Sequence, residues 1–161
     1  MSVLLWLSNT PAAVWARETE SIWGYPTILF LHTLGLGILV GLTTAVDFRV
    51  LGFAERLPLE PLDRFFPLIW IGFWINAVSG AGLLIITPSK LVNPAFFFKM
   101  AFIAAGVVDL WWLRREAFGA SPAYGVKGVT PRAKHLAAWS LAFWAGAITA
   151  GRLMAYVGSS H

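Results

Sequence analysis

Apolar residues run through this chain in long unbroken blocks separated by short polar stretches, not at the three-to-four-residue spacing of a soluble amphipathic helix. Four blocks, residues 26–46, 67–87, 95–113 and 136–157, are each close to the ~20 helical residues that cross a hydrocarbon core of about 30 Å. The first reads PTILFLHTLGLGILVGLTTAV and the last LAAWSLAFWAGAITAGRLMAYV. Pro26 and Pro67 stand in first helical turns, where a missing N–H costs nothing, and Pro88 and Pro94 bracket the turn after the second block. Strands are excluded: open strands cannot satisfy their backbone in lipid, and no alternating barrel pattern is present. The pattern predicts an all-α integral membrane four-helix bundle over residues 26–158.

Residues 1–25 read differently. MSVLLWL has neither a basic n-region nor a small-residue cleavage site, so a cleaved signal peptide is not expected. Asn9 or Thr10 can cap a helix with Pro11 in its first turn. Val14, Trp15, Ile22 and Trp23 then recur at near-helical spacing beside Arg17, Glu18 and Glu20, which predicts a short amphipathic helix in the membrane interface. A disordered lead-in is the alternative.

Composition strengthens the membrane reading. Apolar residues make up 58% of the chain and charged residues 12%, against about 45–50% and 25% in soluble domains. With no cysteine, disulfides, iron–sulfur clusters and thiolate metal sites are excluded. A net charge of +4 without a run of like charges predicts no nucleic-acid partner. The basic residues also orient the chain. Arg49, Arg56 and Arg64 follow the first span, and Arg114, Arg115, Lys127, Arg132 and Lys134 follow the third, while Arg17 and Lys90 are alone on the other side. The positive-inside rule therefore puts both long loops in the cytoplasm and both termini outside.

Small residues suit close helix packing at Gly37 and Gly41 on the first span and at Gly72, Asn76 and Gly80 on the second, with Asn76 as a candidate interhelical hydrogen-bonding group; the alternative for any one pair is that glycine is simply common in membrane helices. Trp23, Trp70, Trp111 and Trp112 fall near span boundaries, where aromatic belts form.

Ionisable residues within spans are the candidates for chemistry, and His32, Lys99, Asp109 and Arg152 are the clear cases. From the helical rise, His32 lies about 9 Å from the outer end of its span, Lys99 about 6 Å and Arg152 about 8 Å. All three reach one level in the outer half of the bilayer. Tyr156 shares the Arg152 face, and Ser79 can reach the layer from the second span. No span acid shares that level. Two cations and an imidazole therefore suit an anionic ligand such as a quinone or the propionates of a haem. Alternatively, Lys99 and Arg152 snorkel to headgroups, or pair with Glu18 or Glu20. Gly35 and Gly37 are expected to leave room beside His32 for a planar group. His135 lies roughly 20 Å from that level, and His161 is terminal, so a second ligand would be Met154, Tyr156, Lys99 or another subunit. On the cytoplasmic side, Asp109 is expected to pin helices by pairing with Arg49 or His135, and less so to act in a proton relay. No phosphate loop, nucleophile elbow or zinc-protease motif is present.

The segments SIWGYPTILFLHTLGLGILVG with DFRVLG, FFFKMAFIAAG and AGRLMAYVG resemble a bacterial family of four-helix integral membrane proteins over nearly the whole chain. A histidine in the first span and a lysine early in the third are more distantly similar to the copper-resistance D-type and HemJ-type membrane proteins. That likeness implies a bacterial inner membrane, with haem b as cofactor, His32 as ligand of the haem iron and Lys99 as a nearby functional group. The expected function is a haem-b-binding electron-transfer module or redox-enzyme subunit. His32 would bind iron, and Lys99 and Arg152 would neutralise propionates. The alternative is an accessory or scaffolding subunit, partnered by lipid and by a second copy or a larger membrane complex. A transporter is disfavoured, for want of an inverted pair of broken helices and a ligand-rich pore.

Overall fold

A computed structural model describes residues 2–19, 21–53, 55–119 and 129–157, with the backbone alone at 2–4 and 155–157. The described residues form helices α1 (Ser2–Ser8), α2 (Pro11–Glu18), α3 (Tyr25–Leu51), α4 (Phe65–Ile86), α5 (Pro94–Phe118) and α6 (Pro131–Val157), without strands. Two 3₁₀ turns, Glu60–Arg64 and Pro88–Val92, precede α4 and α5. Three of the long helices, α3, α4 with its leading turn, and α5, are long and apolar enough to cross a membrane. They mark the chain as a membrane protein.

Local sequence explains where each long helix starts and stops. α3 runs on past residue 46 through DFRVL, until Gly52 takes a left-handed φ of 104°. The Gly52 N–H donates to the Arg49 carbonyl (3.2 Å), and the Phe53 N–H to that of Phe48 (3.0 Å). The Phe48 and Phe53 rings meet edge to face at 5.5 Å, completing a glycine-terminated helix end with its hydrophobic clasp. Asn93 caps α5 by accepting from Ala95 N–H at 2.9 Å. Thr130 caps α6, accepting from Ala133 N–H at 3.1 Å ahead of Pro131, so α6 begins five residues before its apolar block. Thr10 precedes α2 as expected, but its hydroxyl donates back to the Leu7 carbonyl (2.7 Å) instead of capping. Ile22 and Trp23 fall beyond α2, and a further helix, α1, precedes it; both short helices pack against α4.

The long helices pair antiparallel. In α3–α4, Gly35 meets Gly72 and Asn76, while His32 meets Gly80. In α5–α6, Phe102 meets Gly146, Gly106 meets Trp144, and Lys99 meets Gly151. Contact between α3 and α6 joins the pairs, whereas α4 and α5 approach less closely despite being consecutive. The α6 seam is a stripe of small and polar residues around one large one: Ala133, Ala137, Ser140, Trp144, Ala147 and Ala150 are all buried. Trp139, Ile148 and Leu153 face outward.

The buried core is lopsided. Val46, Val50, Leu62, Phe66, Ile69, Leu110, Leu113, Ala133 and Ala137 gather at the end carrying the arginine-rich loops. There Arg49 donates to the loop carbonyls of Leu57 and Glu55, and Arg114 pairs with Asp63 at 3.2 Å.

Candidate functional site

His32 lies on the α3 face that packs against α4. Its Nδ1 is 2.9 Å from the Asn76 backbone oxygen and 3.3 Å from Ser79 Oγ. A carbonyl oxygen can only accept, so in the neutral ring Nδ1 carries the proton and Nε2 keeps its lone pair. Asn76 returns the contact, its Nδ2 donating to the His32 carbonyl at 2.8 Å. Ser79 donates to α4 carbonyls, to Ile75 at 2.5 Å or Asn76 at 3.2 Å, and so supports the ring without taking its proton. Gly80 completes the seat: a β-carbon there would fall 3.0 Å from His32 Cε1 and 3.3 Å from Nδ1. Every atom that orients the imidazole comes from α4. Among the described residues, Nε2 has no hydrogen-bond partner.

Lys99 comes from α5 and lies within electrostatic reach of the His32 ring. Its chain runs across Gly151 of α6, with Cδ and Cε 3.7 Å from where a β-carbon would stand. The layer read from sequence thus brings together His32, Ser79 and Lys99, with Asn76 as the partner that holds the histidine. Arg152 is only loosely part of it. It is exposed, one position round α6 from Gly151, and no contact joins it to His32 or Lys99 among the described residues. The Tyr156 side chain lies outside the described residues, as do Glu20 and His161. Glu18 does not fold down to the layer. It pairs with Arg17 at 3.5 Å.

Two expectations about small residues are corrected. Gly35 offers no room beside His32, because α4 fills that space: a β-carbon would sit 2.6 Å from Asn76 N and 2.8 Å from Gly72 O. Among the described residues Gly37 and Gly41 pack against no other helix, and a β-carbon at either would meet nothing within 4 Å. At 3.6 residues per turn they face almost opposite to His32. They line an open apolar groove of about 680 Å³ with Phe30, Leu34, Ile38 and Leu68.

A second polar group lies at the other end of the bundle, and it too departs from expectation. Asp109 pairs with neither Arg49, which is held by loop carbonyls, nor His135, which is exposed. It is buried near Asp47 of α3, itself fully buried beside Ser140 of α6. The DFR segment placed Asp47 at the end of the first span. That it turns inward followed only once α3 continued as helix to Leu51 and carried it round onto the core face. Among the described residues no cluster of three or more histidines, cysteines or acids could hold a metal ion.

Comparison with protein-family models, with curated proteins and with solved structures finds no match to this chain.

Proposed function

We propose that this chain is a haem-b-binding integral membrane protein, an electron-transfer module or membrane subunit of a redox enzyme, with His32 as ligand of the haem iron. One observation carries the reading: the His32 ring is locked through Nδ1 to the Asn76 carbonyl, which leaves Nε2 as the coordinating nitrogen. Metal-bound imidazoles are commonly held this way, their other nitrogen donating to a carbonyl that fixes tautomer and ring plane. Lys99, within reach of the ring, is the cation available for an acidic substituent, and Arg152 is a second if its exposed side chain turns inward. An imidazole with a free nitrogen beside one cation is the donor set that supports an iron porphyrin with acidic substituents. The seam below His32 is closed at Gly35, so the group has no place between α3 and α4. When bound, haem b would supply one-electron transfer. Asn76 and Ser79 hold the ring, and the apolar helices around it exclude water.

In this reading α6 crosses the membrane with the other three. It is 27 residues long, packs antiparallel along α5, and turns Trp139, Ile148 and Leu153 outward. The bundle then sits in a bacterial inner membrane, with both termini outside.

The test is an absorption spectrum of detergent-purified protein from haem-replete cells, oxidised and reduced. A Soret band that His32→Ala abolishes and Ser79→Ala shifts or weakens is expected. Absence of the band, or its persistence in His32→Ala, refutes the reading.

The Gly37–Gly41 groove favours a second reading, that of an accessory subunit, because a small-residue groove left open within the chain can seat a helix of a partner membrane subunit. Comigration with a large partner on native gels, lost in Gly37→Leu and without a cofactor spectrum, would support it.

A further inference from the structure

Five buried polar side-chain atoms have no hydrogen-bond partner among the described residues: both oxygens of Asp47, Asp109 Oδ2, Ser140 Oγ and Trp144 Nε1. They belong to one neighbourhood. Asp47 on α3 is within electrostatic range of Asp109 on α5 and lies beside Ser140 on α6. Trp144 is one turn along α6 from Ser140, and its indole packs against Gly106, three residues before Asp109. All four residues are more than nine-tenths buried. Orphaned buried polar groups are rare in folded proteins, and each calls for an explanation.

The surrounding charges do not supply one. From α3, Arg49 is turned to the Leu57 and Glu55 carbonyls. From α5, Arg114 is on Asp63 and Arg115 lies over the Trp111 ring at 3.9 Å. From α6, Arg132, Lys134 and His135 are exposed. α4 presents only Phe66 and Ile69 from its buried face at this end, with Arg64 exposed at its start. The Thr43 hydroxyl, also buried, donates to the Leu39 carbonyl at 2.7 Å. No cation among the described residues compensates the pair.

We propose that Asp47 and Asp109 bind one monovalent cation between them, a proton or a sodium ion, while Ser140 and Trp144 hold the charge that remains. Donor arithmetic supports a single positive charge. The orphaned set has three carboxylate acceptors but only two donors, the Ser140 O–H and the Trp144 N–H. One added cation bridges an oxygen of each carboxylate, and the two donors then serve the one orphaned oxygen left over. Two acids without a third ligand-bearing residue do not make a divalent or transition-metal centre, and the indole N–H disfavours a larger positive charge. The site is separate from His32 and does not depend on haem being bound.

The experiment uses the full chain in detergent, with two arms that need no variant. In the first, melting temperature is measured in sodium chloride against choline chloride at equal ionic strength. In the second, infrared difference spectra in H₂O and D₂O are searched for the carbonyl stretch of a protonated carboxylic acid. A melting temperature that rises with sodium and not with choline identifies sodium. A carboxylic-acid band at neutral pH, downshifted in D₂O and indifferent to sodium, identifies the proton. Either signal should disappear in Asp109→Asn or Asp47→Asn. Ser140→Ala, which keeps both acids and the fold, should weaken or shift it. A wild-type protein showing neither signal, or a signal unchanged in a folded Asp109→Asn or Asp47→Asn variant, overturns the proposal.

Discussion

Replacing Gly35 by alanine is the sharpest test of how the His32 end of the bundle is assembled. A β-carbon at this position would stand 2.6 Å from Asn76 N and 2.8 Å from Gly72 O, both backbone atoms that no rotamer change can move. Restoring an ordinary contact of 3.4 Å requires α3 and α4 to part by about 0.8 Å locally. The same displacement falls on the Asn76–His32 bonds, now 2.8 and 2.9 Å, and carries both to the edge of hydrogen bonding or past it. Overpacking of this kind costs about 1–3 kcal/mol, and the gain in helix propensity from glycine to alanine returns up to about 1 kcal/mol. Gly37→Ala is the internal control. It makes the same chemical change two residues away, with nothing within 4 Å of the new methyl, so only the propensity gain applies. Because the propensity gain is common to both variants, they should differ by the overpacking cost alone, about 1–3 kcal/mol, Gly35→Ala being the less stable. SDS-induced unfolding of the detergent-solubilised protein, followed by helical circular dichroism, measures the gap. Equal stability of the two alanine variants, or a less stable Gly37→Ala, would refute the α3–α4 packing described.

Further outcomes follow from single contacts. Asn76→Leu removes the interhelical bond to the His32 carbonyl and should cost about 1 kcal/mol in the same assay, in line with polar contacts between membrane helices. Trp144→Ala empties the largest fully buried side chain of the core and should cost about 3–5 kcal/mol. By contrast, Asp63→Asn breaks only an exposed pair with Arg114, and should change stability by less than about 1 kcal/mol, less still at high salt. The chain has no cysteine, so single cysteines report topology directly. In intact spheroplasts a membrane-impermeant thiol reagent should label Ser89→Cys and leave Arg132→Cys unlabelled; the reverse pattern would invert the orientation assigned from basic residues.

Much of the fold was legible because lipid imposes a length rule that a sequence displays openly. α3 and α5 contain the apolar blocks read for them, α4 contains its own up to Ile86, one residue short of the expected end, and α6 contains the fourth. Their ends were less legible where polar residues prolong a helix. DFRVL reads as loop by hydropathy but is helix to the glycine at 52, and TPRAKH reads as loop but holds the cap and first turn of α6. At the site, depth along the helices brought His32, Ser79 and Lys99 to one level, and Asn76 was recognisable as an interhelical donor. Direction round the helix axis was not recognisable. Depth depends on one number, the rise per residue, whereas azimuth depends on which neighbour each face meets. For that reason Gly35 and Gly37, adjacent in depth, have opposite fates, and Arg152 shares the level of His32 without touching it.

The lopsided core bears on how the two polar groups can work. Around Asp47 and Asp109 the helices meet through Val46, Val50, Leu110, Leu113 and Ala137, so nothing there moves without disturbing the best-packed part of the molecule. A charge change in that pair is therefore felt as a change in global stability, which is why a melting curve can report it. Around His32 the arrangement is the opposite. Its ring is fixed by one neighbouring helix through the hydrogen bond to the Asn76 carbonyl, the Ser79 hydroxyl beside it and a glycine seat, while α5, which brings Lys99, is not closely packed against that helix. Lys99 can thus shift relative to His32 at little cost to the core. Substitutions at Lys99 should then alter ligand affinity or spectrum with small effects on unfolding, whereas substitutions at Asn76, which ties α4 to α3, should alter both. A Lys99→Met variant as destabilised as Asn76→Leu would show that the layer around His32 is structural glue and not a site.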